Sequence, residues 1–163
     1  MNSKHKPLET TSATWTALAD DLRRRGDDCR ESGAFLLGSS DEHRRKFVAW
    51  VAYDDLDVDA LSEGYVRLGT AAFTKLWAIC GERNLEVVAD VHTHPGNPRQ
   101  SISDREHPMV SIPGHMAIIV PNFAQGVVLP GKVSVNIYQG GLTWQSFFGR
   151  DAEKLINLIE EPS

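Results

Sequence analysis

Apolar residues recur along this chain at two different periods, and the helical period of about 3.6 residues predicts three helices. The first helix is expected to begin at Ser12, which can cap it, and to end near Gly26. The second is expected to end at Gly81, and the third to begin near Asp151. Their inward faces hold, in chain order, Trp15, Leu18, Ala19 and Leu22; Phe73, Leu76, Trp77 and Cys80; and Leu155, Ile156, Leu158 and Ile159.

Short apolar runs between these helices predict strands. The predicted strands are residues 34–37, 47–53, 65–68, 85–94, 115–120 and 133–138, the last with alternating polarity. A charged turn separates the first two, which indicates a hairpin, and the acidic segment 54–59 that follows is turn-like. Because strands and helices interleave without an internal repeat, the sequence predicts an α/β fold with a mixed sheet flanked by helices.

The length of the chain limits its domain organisation. A chain of 163 residues, 41% of them hydrophobic, is long enough for one domain with a sizeable core and too short for two ordinary ones. We therefore expect a flexible polar tail over residues 1–12 and a single domain over residues 13–163.

The charge balance and the lack of long apolar runs exclude several classes of protein. A net charge of −5 and an isoelectric point near 5.6 argue against a nucleic-acid partner. No stretch has the apolar length of a signal peptide or a membrane span, so we expect a cytoplasmic protein without a membrane partner. Cys29 and Cys80 are too few for a disulfide framework or a thiolate zinc site.

One predicted strand ends in a His-x-His pair, which is the most informative chemistry in the chain. Side chains of a strand alternate between faces, so His92 and His94 share one face and Thr93 points away. Pro95 cannot donate to a sheet ladder, so the strand should end there. Asp104 follows after a loop long enough to curl back. Two histidines and a carboxylate, with a fourth position open to water, are the ligand set of a catalytic Zn²⁺ ion.

The spacing of Ser101 and Asp104 has a second interpretation, because Ser-x-x-Asp is close to the capping box of a helix. Ser103 and Glu106 offer a competing cap, which would leave Ser101 and Asp104 free for chemistry.

Three further polar residues near the histidine pair can be explained by structural roles instead of roles at a metal site. Asp90 shares the face of the histidine pair, where it is either a hydrogen-bond partner of an imidazole nitrogen or a strand-edge carboxylate. His107 and His115 are interpreted as structural residues rather than ligands.

Together with residues upstream, this motif resembles the JAMM metalloproteases, also called MPN-plus or JAB domains. The resemblance extends from about Glu31 to Val120: a glutamate precedes an apolar strand ending in Leu-x-Gly, then come His-x-His-Pro and Ser-x-x-Asp. The matching residues are Glu31, Leu36, Gly38, His92, His94, Pro95, Ser101 and Asp104. In two departures, six residues separate His94 from Ser101 where eukaryotic members commonly have seven, and Ala34 replaces a frequent glycine. The shorter spacing is similar to that of the prokaryotic branch.

The resemblance implies an MPN/JAB, cytidine-deaminase-like architecture and a zinc-dependent isopeptidase or peptidase that cleaves after the C-terminal glycine of a ubiquitin-like protein. His92, His94 and Asp104 match the zinc ligands, Glu31 matches the general base, and Ser101 would donate its hydroxyl to the tetrahedral oxyanion. The implied partners are a ubiquitin-like protein or its conjugates, together with E1-like and E2-like enzymes of the same system.

Two rival interpretations make different demands on the sequence. A non-catalytic binding scaffold of the same fold would lack a ligand or the base, and none is missing here. The pattern Asp90-x-His92-x-His94 also resembles the first strand of barrel hydrolases of the amidohydrolase or polymerase-and-histidinol-phosphatase type. Only about 70 residues follow it, too few for a barrel that needs about 200.

Overall fold

The computed structural model describes residues 5–62 and 68–160, and within them eight strands form one sheet. The strands are β1 (Leu8–Thr11), β2 (Gly33–Ser40), β3 (Arg45–Ala52), β4 (Glu86–Thr93), β5 (Met116–Val120), β6 (Ser134–Gly140), β7 (Thr143–Phe147) and β8 (Ile156–Ile159). The helices are α1 (Ser12–Gly26), α2 (Tyr53–Leu56), α3 (Thr70–Arg83), α4 (Ile102–Glu106) and α5 (Gly149–Glu153). None of these helices has the length and apolarity needed to cross a bilayer.

The sheet mixes parallel and antiparallel pairs in the order β7-β6-β5-β4-β2-β3-β1-β8. β4 is parallel to β5, and β1 is parallel to both β3 and β8, whereas the remaining pairs are antiparallel. The predicted hairpin is therefore confirmed as β2 and β3, and the predicted fold class, a mixed sheet flanked by helices, is confirmed as well.

The core consists of two apolar clusters on opposite faces of this sheet. Alternate residues of β2 serve both, because Leu36 packs with the α1 side and Phe35 packs with the α3 side. Cys80 of α3 is buried in the second cluster, as predicted. Trp77 of the same helix is 54% exposed, so the apolar face predicted for α3 is only partly buried.

Two helix ends differ from the prediction. Thr11 rather than Ser12 caps α1, because its hydroxyl oxygen accepts a hydrogen bond from the Thr14 N–H at 3.0 Å. Helix α3 continues through Gly81 and ends at Asn84, whose left-handed backbone (φ 54°) turns its N–H back to the carbonyl groups of the last turn. A lone glycine inside a helix is tolerated at about 1 kcal/mol, and asparagine is the other residue that suits a left-handed cap.

The predictions for the two ends of the chain are wrong. The expected last helix is the short α5, and Ile156–Ile159 form strand β8, which pairs in parallel with β1. β1 itself lies within residues 1–12, where a flexible tail was expected, and its Leu8 is fully buried. Each strand has four residues, too few to show a period, and β8 depends on β1 for its place in the sheet.

The predictions for the middle strands had mixed outcomes. The predicted strand at 65–68 falls largely outside the described residues. β6 is buried at five successive positions instead of alternating. Val135 and Ile137 pack in the first apolar cluster, and the polar Ser134 and Asn136 are buried with hydrogen bonds to the carbonyls of Pro98 and Ala117. β7 was not predicted, and it is the exposed outer strand on that side of the sheet.

The β2–β3 hairpin contains a register shift between Leu37 and Gly38. The two strands approach so closely there that a Cβ atom at Gly38 would overlap the carbonyl oxygen of Lys46. Because the neighbour is backbone, it cannot rotate away as a side chain can.

We expect Gly38→Ala to lower the free energy of unfolding, measured by urea denaturation, by about 1–3 kcal/mol or more, as overpacking typically does. The matched control is Gly81→Ala inside α3, where nothing lies within 4 Å of the added Cβ. That change should stabilise the protein by up to about 1 kcal/mol. Equal effects of the two substitutions would contradict the close approach at Gly38.

Candidate metal centre

Three segments of the chain meet at the edge of the sheet where β4 and β5 end and β2 begins. β4 ends one residue before His94, whose N–H then donates to the carbonyl of Val120 at 2.9 Å. β2 runs antiparallel to β4 with Gly33 opposite His92, so Glu31 lies beside the histidine pair. The short helix α4 then brings Asp104 to the same edge.

The structure brings the predicted ligands His92, His94 and Asp104 together, with one ligand atom of each within 4.8 Å of the others. The two imidazole Nε2 atoms are 3.0 Å apart. The carboxylate of Asp104 places Oδ2 3.0 Å from His94 Nε2 and Oδ1 3.3 Å from His92 Nε2. The carboxylate of Glu31 lies just outside this group, 3.9 Å from His94 Nε2.

The hydrogen-bonding capacity of His94 shows that this cluster suits a cation. Its Nδ1 lies 3.2 Å from the carbonyl oxygen of Asn97, which can only accept, so Nδ1 carries a proton. A neutral His94 then presents a lone pair at Nε2 towards His92 and the Asp104 carboxylate. These acceptors repel one another unless a proton or a metal ion lies between them. Two nitrogens and a carboxylate oxygen are suitable ligands for a divalent transition metal, so these residues can hold one.

The pKa values in the cluster are shifted by burial and by mutual attraction. Burial opposes the charged form of His92, but the hydrogen bond and charge of Asp104, with the charges of Asp90 and Glu31, outweigh it and raise the pKa of His92. Burial also opposes ionisation of Asp104, yet its hydrogen bonds to both imidazoles hold the pKa of Asp104 far below its usual range. The pKa of Glu31 is raised, chiefly by burial and against the opposing attraction of the two imidazoles.

Ser101 and Asp104 form a capping box, so the helix does not use the competing cap that Ser103 and Glu106 offered. The Ser101 hydroxyl oxygen accepts from the Asp104 N–H at 3.0 Å, and Asp104 Oδ2 accepts from the Ser101 N–H at 2.8 Å. Ser101 has the extended backbone of a capping residue, whereas Ser103 already lies within α4. The capping box and the metal cluster are therefore not alternatives, because they share one carboxylate.

Thr93 and Ser32 position the site, and sequence reasoning missed this role. Thr93 points away from the histidine pair, as predicted, and its Oγ1 accepts from the Ser32 N–H at 3.0 Å. The Thr93 N–H donates to the Ser32 carbonyl at 2.8 Å, and the Ser32 hydroxyl donates to the Leu22 carbonyl at 2.7 Å. These bonds fix the residue next to Glu31 against the strand that carries the histidines.

Asp90 is a buried carboxylate rather than a strand-edge one, and its imidazole partner is His115 at 2.7 Å. Asp90 nevertheless lines the same cavity as His92. His107 lies exposed at the rim of that cavity, with its Nδ1 3.1 Å from the Ser103 carbonyl oxygen. Neither His107 nor His115 belongs to the metal cluster.

The cavity beside the cluster has a volume of about 160 Å³ and is lined by Glu31, His92, Ser101 and Asp104, among others. Tyr53 also lines it, although this side chain is fully buried and packs edge-on against Phe35 at 4.9 Å between ring centroids. Its hydroxyl oxygen is buried without a hydrogen-bond partner in the part of the chain that the structure describes. No feature of the sequence indicated this residue.

Comparison with known proteins gives both a family and a fold. A family model described as prokaryotic homologs of the JAB domain matches residues 11–132, which is more than half of the chain. The structure is similar to the solution structure of a Desulfitobacterium hafniense protein, with a TM-score of 0.67, 15% identity and 94% of each chain covered. It is also similar to a Salinibacter ruber protein, with a TM-score of 0.54, 20% identity, and 85% of this chain and 88% of that chain covered.

We expect Tyr53→Phe to stabilise the metal-free protein, because it removes a buried hydroxyl that makes no hydrogen bond. An unsatisfied buried polar group costs about 1–3 kcal/mol, so urea denaturation should show a gain of up to that size. The control is Tyr138→Phe, whose hydroxyl accepts from the Leu142 N–H at 3.1 Å and whose loss should destabilise by about 1 kcal/mol. If Tyr53→Phe destabilises the protein as much as Tyr138→Phe does, the Tyr53 hydroxyl has a hydrogen-bond partner.

We expect one divalent metal ion per chain, bound more tightly as the pH rises from 6 to 8. The raised pKa of His92 means that a proton competes with the metal for Nε2 to a higher pH than usual. Displacing one proton changes the apparent affinity by about tenfold per pH unit below that pKa. Competitive titration against a chelating zinc indicator measures this slope. A flat or inverted slope, or unchanged binding in a His92→Ala/His94→Ala variant, would contradict the assignment.

Proposed function

Because the chain belongs to the prokaryotic homologs of the JAB domain, we propose that it is a zinc-dependent peptidase or isopeptidase acting after the C-terminal glycine of a ubiquitin-like protein. The JAB domain family includes metalloproteases. The observation that supports this proposal is the convergence of a carboxylate outside the ligand set, Glu31, with His92, His94 and Asp104 at one cavity.

Glu31 is the proposed general base and acid. When bound, zinc supplies a water whose pKa is lowered to about 7 and a Lewis acid for the scissile carbonyl. The Glu31 carboxylate takes the proton of the attacking water and later delivers it to the departing amine. Its half-buried position beside His94 and its raised pKa suit this role, because a proton carrier works best when its pKa approaches the working pH.

Ser101 is the proposed donor to the tetrahedral oxyanion. Its hydroxyl oxygen accepts from the Asp104 N–H, so its own O–H proton remains available to the cavity that it lines. Donors of this kind stabilise charge that develops only in the transition state.

The two cysteines support a mechanism in which water, rather than a thiolate, attacks. Cys80 lies on α3 and is buried in the second apolar cluster. The Cys29 thiol donates to the Gly26 carbonyl at 3.6 Å. Neither thiol lines the cavity of the metal cluster.

The glycine at the cleaved bond is inferred from the resemblance to the JAMM metalloproteases. In this proposal the ubiquitin-like protein or its conjugates are the substrate, and E1-like and E2-like enzymes act on the same protein.

We expect Glu31→Gln to keep its metal and its fold and to lose turnover by about 10²- to 10⁴-fold, the usual contribution of a general acid-base group. The assay measures zinc content together with cleavage of a ubiquitin-like protein fused through its C-terminal glycine to a reporter. Ser101→Ala should lose about 10²- to 10³-fold, whereas Ser103→Ala, a serine that lines the same cavity without capping α4, is the matched control and should be near wild type.

Each outcome of this assay has a distinct meaning. A Glu31→Gln protein that turns over at the wild-type rate removes Glu31 from the mechanism, and one that loses its metal makes Glu31 a ligand. A zinc-loaded wild-type protein that binds the ubiquitin-like fusion without cleaving it would instead favour the non-catalytic scaffold.

A further inference from the structure

A second groove begins where the cavity of the metal centre ends. We call it the arginine groove; it has a volume of about 440 Å³ and is lined by Arg99, Gln100, Arg105, Trp144, Ser146 and Phe148. Gln100 and Trp144 also line the cavity of the metal cluster, so the two spaces adjoin. A chain that reaches the cluster can therefore extend into this groove.

The arginine groove carries positive charge without a partner. Neither the Arg99 nor the Arg105 guanidinium makes an ion pair or hydrogen bond with another described residue. By contrast, Arg23, Arg24, Arg25 and Arg44 each pair with a carboxylate of the chain. In a chain with 22 acidic and 17 basic residues, the lining of this groove contains two arginines and no acidic residue.

The wall of the groove is held in place by its own contacts. The Trp144 indole N–H donates to the Arg105 carbonyl at 3.0 Å, which links strand β7 to helix α4. The indole ring also packs against Tyr138 at 4.9 Å between ring centroids. Phe148, which is 45% exposed, adds an apolar surface at the outer end. The groove therefore offers fixed aromatic walls for the stem of a side chain as well as charge for its end.

We propose that the arginine groove binds acidic side chains of the substrate segment that flanks the scissile bond. Planar guanidinium groups match carboxylates in geometry and charge. Because Arg99, Arg105 and Phe148 are all exposed, the groove is open at its outer end and suits a chain that passes through it rather than a buried terminal carboxylate. The identity of the scissile bond rests on the proposed function; the preference for acidic residues rests on the groove.

The test measures binding of dye-labelled, end-blocked peptides in which Gly-Gly is flanked on both sides by Glu, Gln or Lys residues. Fluorescence anisotropy with zinc-loaded Glu31→Gln protein keeps the peptides intact. We expect the Glu peptide to bind at least about fivefold more tightly than the Gln peptide, and the difference to shrink as salt rises. Arg99→Gln and Arg105→Gln should each weaken binding of the Glu peptide by about two- to fivefold, as for an exposed ion pair. The double variant should abolish the preference for the Glu peptide over the Gln peptide.

Control variants test whether the preference for acidic peptides comes from the arginine groove or from the net charge of the protein. Arg83→Gln removes another exposed arginine, at the end of α3, and should leave the preference unchanged, whereas the double change to Lys should retain most of it. Equal binding of Glu and Gln peptides, or an unchanged preference in the double Gln variant, would overturn the proposal. Tighter binding of a Gln peptide with a free C-terminus than of the end-blocked Glu peptide would also overturn it. Failure of wild-type protein to cleave glycine fusions would count against the proposed function alone, since this assay needs no turnover.

Discussion

The site depends on hydrogen bonds between Ser32 and Thr93, two buried residues that are 61 positions apart. The Thr93 hydroxyl oxygen accepts from the Ser32 N–H, and the Thr93 N–H donates to the Ser32 carbonyl. The Ser32 hydroxyl in turn donates to the carbonyl of Leu22 in α1. Since side chains alternate along a strand, Thr93 can be anchored on one face while His92 and His94 face the cavity. A hydroxyl group with no proposed part in the reaction therefore places the proposed base next to the metal ligands.

The sequence predicted those features that leave a local pattern. Periodicity was sufficient for the mixed α/β fold, and the alternation of a strand was sufficient to put His92 and His94 on one face. Asp104 was added from the length of the following loop and from the resemblance to the JAMM metalloproteases. The pairing of β1 with β8, the hydrogen bond between Asp90 and His115 and the packing of Tyr53 against Phe35 join segments that are distant in the chain. Such contacts are decided by tertiary packing, which no spacing of residue types records. The chemical roles of Glu31 and Ser101 remain predictions.

Asp104 explains why the capping and metal-binding interpretations were wrongly opposed. An ionised carboxylate has about four lone-pair positions on two oxygens. Oδ2 accepts the Ser101 N–H and also faces His94, while Oδ1 faces His92. Asp104, the third residue of helix α4, is thereby oriented by the histidine pair, and Ser101, which caps the helix, is carried to the cavity with it. A short helix of five residues gains a defined position from the cluster rather than from a buried apolar face.

The side chain of Glu31 is attached to the site more loosely than any ligand. It makes no hydrogen bond with the described residues, and its carboxylate lies 3.9 Å from His94 Nε2. The backbone next to it is held instead by Ser32. In evolutionary terms, one nucleotide change at this codon can remove the carboxylate while the fold and the ligand cluster persist. Under the proposed function, a lineage can therefore pass from turnover to recognition alone in a single step, without first losing stability.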